Sequence, residues 1–253
     1  MVKLKSEFRK LNKELVVECS GEKIVLPADI QKKVDEYWMK LLASGRKLTR
    51  GEGYTITAID ESSDCLKITL ALSDYAHYIY SRHIGLPPEY AFKNIHTSCL
   101  IETADNFLIF GVMGKQTSIA GTTQCIGGGL DNNDLEGGRF NLGNNIKNEL
   151  LEEVNVDAED EKMAEPLKME FINFSGTLNS IAAIFVLKLK IDCAEFQKRY
   201  SRFEKDLAEN GSLPEFGEII YLKKTREKIE KFLKTDERPD HYLRALLLQV
   251  VGD

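Results

Sequence analysis

Three glutamates in one predicted helix, Glu149, Glu152 and Glu153, have the residue type and spacing best suited to chemistry. At about 100° per residue in an α-helix, their carboxylates fall within an arc of about 100°. Glu149 and Glu153 are i, i+4 neighbours, and like charges at that spacing cost roughly 0.2–0.5 kcal/mol of helix stability. Glu152 and Glu153 also lie near the C-terminal end of the helix, where the helix dipole disfavours negative charge. Helix stability therefore does not explain this arrangement.

A hard divalent cation would explain it. Mg²⁺ prefers oxygen ligands and is commonly bound by one or two carboxylates together with substrate phosphates. Taken alone, such a pattern is more often a solvated acidic face of a helix. The preceding sequence changes this interpretation, because a predicted strand, the turn Gly127-Gly128-Gly129 and a polar loop lead into the helix that begins near Asn144.

This succession resembles the signature of the Nudix hydrolase family, G-x5-E-x7-R-E-U-x-E-E-x-G-U, in which U is a bulky aliphatic residue. The second half of the pattern is matched by Glu149, Leu150, Glu152, Glu153 and Val156. Asn148 stands where the family has Arg, and Asn155 stands where it has Gly. The change at Asn155 is mild, because asparagine tolerates the left-handed conformation that often ends a helix.

The first half of the signature departs further from the family. If Gly128 is the family's glycine, the loop before the helix is six residues longer than the pattern gives. Glu136 or Asp134 would then replace the missing first glutamate. The Arg that Asn148 replaces usually braces a metal-binding glutamate in the family.

The resemblance covers the C-terminal part of the chain and implies a Nudix-type α/β/α sandwich with a mixed sheet. It also implies that Mg²⁺ or Mn²⁺ supports hydrolysis of a diphosphate linkage in a small, nucleotide-like molecule of the nucleoside diphosphate-X type. Glu149, Glu152 and Glu153 would bind the metal ion, and Glu152 and Glu153 would also be catalytic.

In many members of the family, a base or a further metal ligand comes from a loop outside the helix. Glu218 is the predicted catalytic residue of this kind, and Glu215 in the same segment is the alternative. Both also fit surface acids that precede a strand.

Candidate substrate-binding residues lie in two places. Gly127, Gly128 and Gly129 would let the backbone approach phosphates closely, although a tight turn explains them equally well. Arg82 lies among aromatic residues, in the segment Tyr75–Tyr90, and would pair with a phosphate while the aromatic rings stack on a base. The same segment also fits a surface on which an added domain packs against its neighbour.

The predicted organisation is an α+β extension over residues 1–92, followed by the Nudix domain over residues 93–253. The boundary is placed after Pro87-Pro88, because two consecutive prolines interrupt regular structure. Strands and helices alternate irregularly, which favours a mixed α+β or α/β fold with a mixed sheet between helices over a doubly wound parallel sheet.

Composition limits the possible partners. The net charge of −6 argues against nucleic-acid binding, and no apolar run approaches the ~18 residues of a membrane span. The charged N-terminus lacks the apolar core of a signal peptide, and the five scattered cysteines fit reduced thiols, so the sequence predicts a cytoplasmic protein. The family resemblance also allows a homodimer.

Two alternatives remain open at this stage. The first is a binding or regulatory module on the Nudix fold, in which cleavage was lost together with the Arg at position 148. The second is a scaffold whose acidic helix is only surface. The sequence does not identify the substrate.

Overall fold

The computed structural model describes residues 4–46, 48–117, 119–175, 179–238 and 241–252. Within these ranges the chain forms a mixed α+β fold of two β-sheets and six α-helices. The strands are β1 Glu7–Lys10, β2 Glu14–Lys23, β3 Glu52–Glu61, β4 Cys65–Asp74, β5 Asn94–Glu102, β6 Phe107–Met113, β7 Thr123–Gln124, β8 Leu135–Glu136, β9 Arg139–Phe140, β10 Lys168–Ser175, β11 Ser180–Lys188 and β12 Phe216–Lys223. The helices are α1 Ala28–Ala43, α2 Tyr75–His83, α3 Leu142–Val154, α4 Cys193–Glu209, α5 Arg226–Thr235 and α6 His241–Gln249.

The larger sheet lies between two helical layers. Its strand order is β1-β10-β11-β5-β6-β12, with β7 beside β6, and β11 and β5 are its parallel pair. Because side chains alternate along a strand, Cys99 and Ile101 of β5 face one side of the sheet and Leu100 faces the other. The first side packs against α3, α4 and the second sheet, and the other side packs against α5 and α6. The predicted α/β/α sandwich with a mixed sheet is therefore confirmed.

The second sheet has the order β3-β4-β2-β9-β8. Helices α1 and α2 pack on each other through an apolar cluster that includes Val34, Trp38 and Ala76. The first 92 residues thus contain both helices and strands, as the sequence predicts. Strands from before and after residue 92 pair with each other in both sheets. In the larger sheet β1 pairs with β10, and in the second sheet β9 pairs with β2. The division into two domains at this residue stays a prediction.

The helices and the cysteines can be compared with what the composition predicts. Among the described helices, none is long and apolar enough to cross a membrane. All five cysteines are free thiols, and Cys99 and Cys125 are buried. Burial raises the pKa of the Cys125 thiol to about 12. Since the thiolate is the reactive form, this environment keeps the Cys125 side chain inert.

Candidate active site

Helix α3 carries the three glutamates of the signature. Its N-terminus is capped by the side chain of Asn141, which accepts a hydrogen bond from the backbone N–H of Asn144 at 3.0 Å. It ends at Asn155 in the left-handed conformation, with φ of 53°, so the tolerance expected of asparagine is confirmed. Ile146 and Leu150 are fully buried in the core. Burial of this apolar side fixes the orientation of the glutamates around the helix.

Glu153 is the most buried acid of the helix, with 4% of its surface exposed. Its Oε2 accepts a hydrogen bond from the backbone N–H of Gly127 at 3.0 Å. Burial raises the pKa of Glu153 well above its ordinary range, and the nearby carboxylates of Glu215 and Glu149 raise it further. A side-chain hydrogen bond with Glu215 raises the pKa of Glu153 and lowers that of Glu215, so the neutral form of Glu153 is favoured as the donor. A buried carboxyl with a strongly perturbed pKa is a candidate functional group.

Glu149 lies directly beside Gly128. A Cβ atom on Gly128 would overlap the Glu149 carboxylate, so the glycine leaves the space that this carboxylate occupies. Burial raises the pKa of Glu149 to about 8, and the charges of Glu215 and Glu152 add to the shift. Glu152 itself is exposed, and its charge also raises the pKa of Glu215. We call these four residues, Glu149, Glu152, Glu153 and Glu215, the carboxylate cluster.

Glu215 enters the cluster from the chain that precedes β12. Its backbone carbonyl accepts a hydrogen bond from the N–H of Gly114 at 2.9 Å. The next residue, Phe216, is buried against Gly111, where a Cβ atom would overlap the phenyl ring. The pairing of β12 with β6 shifts register between Phe216 and Glu218. A bulge of this kind changes the direction of the side chains beside it. Glu215 and Glu218 therefore lie in different environments.

Glu218, the predicted catalytic residue, lies outside the cluster. Its carboxylate accepts a hydrogen bond from Arg238 Nη1 at 2.9 Å, and both side chains are largely exposed. Of the two candidate acids, Glu215 is therefore the one that lies beside helix α3, whereas the catalytic role of Glu218, which lies within β12, stays a prediction.

The departures from the first half of the signature have visible consequences. Asp134 is buried and accepts a hydrogen bond from Asn145 at 3.0 Å, whereas Glu136 is exposed and accepts one from Asn144. Neither carboxylate belongs to the cluster. Asn148 is exposed and makes no side-chain hydrogen bond within the described residues. It therefore does not brace the glutamates.

The Gly127–Gly129 segment runs between β5 and α3. Gly127 has a φ of +146°, and a Cβ atom there would overlap the carbonyl oxygen of Thr97. The backbone N–H of Thr97 donates to the carbonyl of Gly128 at 3.0 Å. Gly127 and Gly128 therefore fill a narrow space that only small residues allow. The segment lies against Glu149 and Glu153 rather than at a remote turn.

An open cavity of about 660 Å³ lies beside this segment. Gly127–Gly129 and Glu215 line it from the larger sheet, and the predicted substrate-binding residue Arg82 lines it from α2. The first 92 residues therefore build part of the cavity wall, in addition to packing on their neighbour. Arg82 is exposed, and the described residues give it no ion-pair partner.

The cavity contains residues that the sequence reasoning missed. Tyr54 donates a hydrogen bond from its hydroxyl to Asn132, whose amide donates in turn to Glu52. Tyr54, Glu52 and Phe92 all line the cavity. No motif marks these positions, because they belong to a strand and a loop that become neighbours of the signature only on folding. The one available signal was the presence of aromatic residues in the predicted N-terminal extension.

A divalent cation would meet only oxygen ligands in the carboxylate cluster. In the part of the chain that the structure describes, no three His, Cys, Asp or Glu side chains already surround a common point as metal ligands. The chemistry of the carboxylate cluster nevertheless fits Mg²⁺ or Mn²⁺, because all its ligand atoms are oxygens and its charges repel one another. A neutral Glu153 that donates a hydrogen bond to Glu215 would reduce this repulsion. A cation would relieve it in the same place, since metal binding to carboxylates releases protons.

The raised pKa of Glu149 predicts how the metal-free protein responds to pH. Between pH 4.5 and about 8 the unfolded chain loses this proton while the folded chain retains it, so the free energy of unfolding should fall as pH rises through this range. Urea unfolding in excess chelator at several pH values measures the fall. Glu149→Gln should reduce this fall but not abolish it, because the pKa of Glu153 is also raised. His77 contributes in the opposite direction in both proteins, since burial lowers its pKa. An equally steep fall in wild type and variant contradicts the assignment.

Comparison with known proteins gives a consistent but distant picture. No model of a known protein family matches the sequence, and no curated protein matches it. The structure is similar to the MutT protein from Methanosarcina mazei Go1, with 15% identity over 62% of this chain and 92% of that one, at a TM-score of 0.38. It is also similar to the Nudix domain of Shewanella oneidensis NrtR, crystallised with ADP ribose, with 10% identity over 67% and 93% of the chains at a TM-score of 0.37.

A third similar structure is a Nudix hydrolase from Nitrosomonas europaea, with 10% identity over 62% of this chain and 87% of that one, at a TM-score of 0.36. The structures found thus include members of the family that the signature resembles. A function for this chain has to be argued from its own side chains.

Proposed function

We propose that the protein is a hydrolase that depends on Mg²⁺ or Mn²⁺ and cleaves a diphosphate linkage in a substrate of the nucleoside diphosphate-X type. The observation that carries the proposal is the carboxylate cluster: Glu149 and Glu153 lie against Gly128 and Gly127, and these glycines line a cavity of about 660 Å³ together with Glu215. Four acids gathered around a glycine-rich backbone segment destabilise one another without a cation. Such an arrangement is expected where a cation and an anionic ligand bind together.

Glu149, Glu152 and Glu153 would hold the metal ion. When bound, it offsets the charge of the diphosphate oxygens and makes water easier to deprotonate. Glu149 and Glu153 are restrained by Gly128 and by the N–H of Gly127, whereas the exposed Glu152 is free to turn toward a ligand. Two restrained carboxylates and one mobile carboxylate would provide oxygen ligands and leave other coordination positions of the metal ion open for substrate.

Glu215 is the proposed proton acceptor. Glu215 is exposed as a whole residue, but desolvation of its carboxyl raises its pKa, while the hydrogen bond with Glu153 lowers it. Glu215 is therefore the more easily ionised member of this pair. It also lines the cavity, where a water molecule would approach the diphosphate. A carboxylate with a raised pKa next to the reacting water is suited to general-base catalysis near neutral pH.

The cavity wall would bind the rest of the substrate. Gly127–Gly129 let the backbone approach phosphate oxygens without a side chain in the way. Arg82, which has no ion-pair partner among the described residues, provides a cation for the diphosphate or for X. Tyr54, Tyr78 and Phe92 supply aromatic surface for a base. A cavity of this volume suits a nucleotide-sized ligand.

The test is a substrate panel of nucleoside diphosphate sugars, dinucleotides and nucleoside triphosphates, assayed with Mg²⁺ and with Mn²⁺. We expect turnover of at least one diphosphate, loss of turnover in excess chelator, and recovery when Mg²⁺ is restored. Hydrolysis that continues undiminished in excess chelator would refute the metal-dependent scheme.

A second candidate function is a ligand-binding or regulatory module with the same fold. The observation that favours it is Asn148, which is exposed and braces nothing. Calorimetry with the same panel separates the two functions. Tight binding of a diphosphate without any turnover supports the module, and turnover supports the hydrolase.

A further inference from the structure

One buried amide connects the Gly127–Gly129 segment to α3. Asn145 is 5% exposed, and its Nδ2 donates hydrogen bonds to the carbonyl of Gly129 and to Oδ2 of Asp134, each at 3.0 Å. Its Oδ1 accepts a hydrogen bond from the hydroxyl of Thr97. Both amide hydrogens and the carbonyl oxygen therefore have partners. These partners fix the orientation of the side chain, since reversing the amide would set its oxygen against two acceptors.

Two partners of Asn145 are themselves hydrogen-bonded to residues that line the cavity. Thr97, on β5, holds the Gly128 carbonyl through its backbone N–H at 3.0 Å. Asp134 accepts a second hydrogen bond, from the N–H of Asp131 at 2.9 Å, and Asp131 lines the cavity. Asn145 thus connects α3, β5 and the loop after the glycines at one point. These bonds fix the distance between the glycine segment and the glutamates of α3. Glu149 lies one turn and Glu153 two turns beyond Asn145.

We propose that Asn145 is a positioning residue for the carboxylate cluster, an inference that rests on the proposed function. It holds the glycine segment where the N–H of Gly127 meets Glu153 and where Gly128 leaves space for Glu149. Asn148, three residues further along α3, is exposed and makes no hydrogen bond within the described residues. Bracing of the site therefore comes from Asn145 and Asp134.

The test compares Asn145→Ala and Asn145→Asp with Asn148→Ala as the matched control on the same helix. Two readouts do not require turnover: hydrogen exchange of the Gly127 amide in the metal-free protein, and the dissociation constant for Mn²⁺ measured by electron paramagnetic resonance. In both Asn145 variants we expect exchange at Gly127 to accelerate about tenfold relative to core amides. We expect Mn²⁺ affinity to fall about 10- to 100-fold, the usual effect of removing a residue that orients metal ligands.

The control should match wild type in both readouts. Asn145→Asp is nearly isosteric, so it keeps the packing and places a carboxylate against Asp134. If Asn145→Ala fails to fold, Thr97→Val removes one hydrogen bond of the same amide with little change in shape, and it should shift both readouts in the same direction by a smaller factor. Loss of thermal stability with unchanged Gly127 exchange and unchanged Mn²⁺ affinity overturns the proposal, because that result assigns Asn145 to the fold alone.

The exchange measurement keeps this inference separate from the proposed function. A wild-type protein without Mn²⁺ binding or turnover contradicts the hydrolase, while faster exchange at Gly127 in the Asn145 variants still supports positioning of the glycine segment. Normal turnover and Mn²⁺ binding in Asn145→Ala contradict the positioning role and leave the hydrolase standing.

Discussion

Glu153→Gln is expected to lower kcat for Mg²⁺-dependent hydrolysis by about 10³-fold while leaving the metal-free protein at least as stable as wild type. The loss of activity follows because an amide carries no charge for the metal ion, and it lies within the roughly 10²- to 10⁴-fold effects of removing a group that acts on the proton transfer. The preserved stability follows from the state of Glu153 in the metal-free protein. Burial and the neighbouring carboxylates raise its pKa, which favours the neutral, hydrogen-bonding form of the carboxyl.

A glutamine reproduces both hydrogen bonds of that neutral carboxyl. Its oxygen can accept the N–H of Gly127, and its amide can donate to Glu215, as the protonated Glu153 does. The variant also removes the cost of ionising a buried acid, so its stability advantage should grow as pH rises toward 8. Opposite changes in activity and stability are typical of residues that a binding site holds in an unfavourable environment.

Steady-state kinetics with Mg²⁺ and urea unfolding in chelator measure the two effects. The control is Glu218→Gln, since Glu218 pairs with Arg238 at the surface and not with the cluster. Glu215→Gln, in contrast, should reduce kcat strongly. Equal effects of the Glu215 and Glu218 substitutions would contradict the choice between these two acids.

The sequence was sufficient to predict helix α3 from near Asn144 and to allow its left-handed end at Asn155. These features are local, since they depend on helical periodicity and on the conformational preference of one residue. The mixed sheet between helices also followed from the irregular alternation of strands and helices. The metal-binding role of Glu149, Glu152 and Glu153 stays a prediction, which their mutual pKa effects support.

The choice between Glu215 and Glu218 could not be made from the sequence. The two acids are three residues apart, and only the register shift in β12 and the contact of Phe216 with Gly111 separate their environments. The part of the cavity wall formed by Tyr54 and Phe92 could not be predicted for a similar reason. It depends on long-range packing of the N-terminal strands. Asn145 carried no signal either, since a buried asparagine and an exposed one such as Asn148 look alike in the sequence.

Gly128→Ala is expected to reduce kcat/KM by about 10²-fold, whereas Gly129→Ala, one residue away, should have little effect. A methyl group at position 128 would occupy the space of the Glu149 carboxylate, and displacing a ligand by about 1 Å is enough for a loss of this size. A methyl group at position 129 meets no heavy atom within 4 Å. The φ of Gly128 lies outside the left-handed region, so the backbone accepts alanine there and the effect arises from the carboxylate.

The same pair of substitutions separates a role of the glycines in positioning Glu149 from a role in backbone contact with phosphate. If only flexibility or backbone access mattered, alanine at 128 and at 129 would impair the protein similarly. If the space for Glu149 matters, the Gly128 variant should lose Mn²⁺ affinity together with activity, and the Gly129 variant should keep both. Combining Gly128→Ala with Glu149→Asp, which shortens the displaced side chain by one methylene, should restore part of the lost Mn²⁺ affinity. No recovery in the double variant would show that Gly128 acts independently of Glu149.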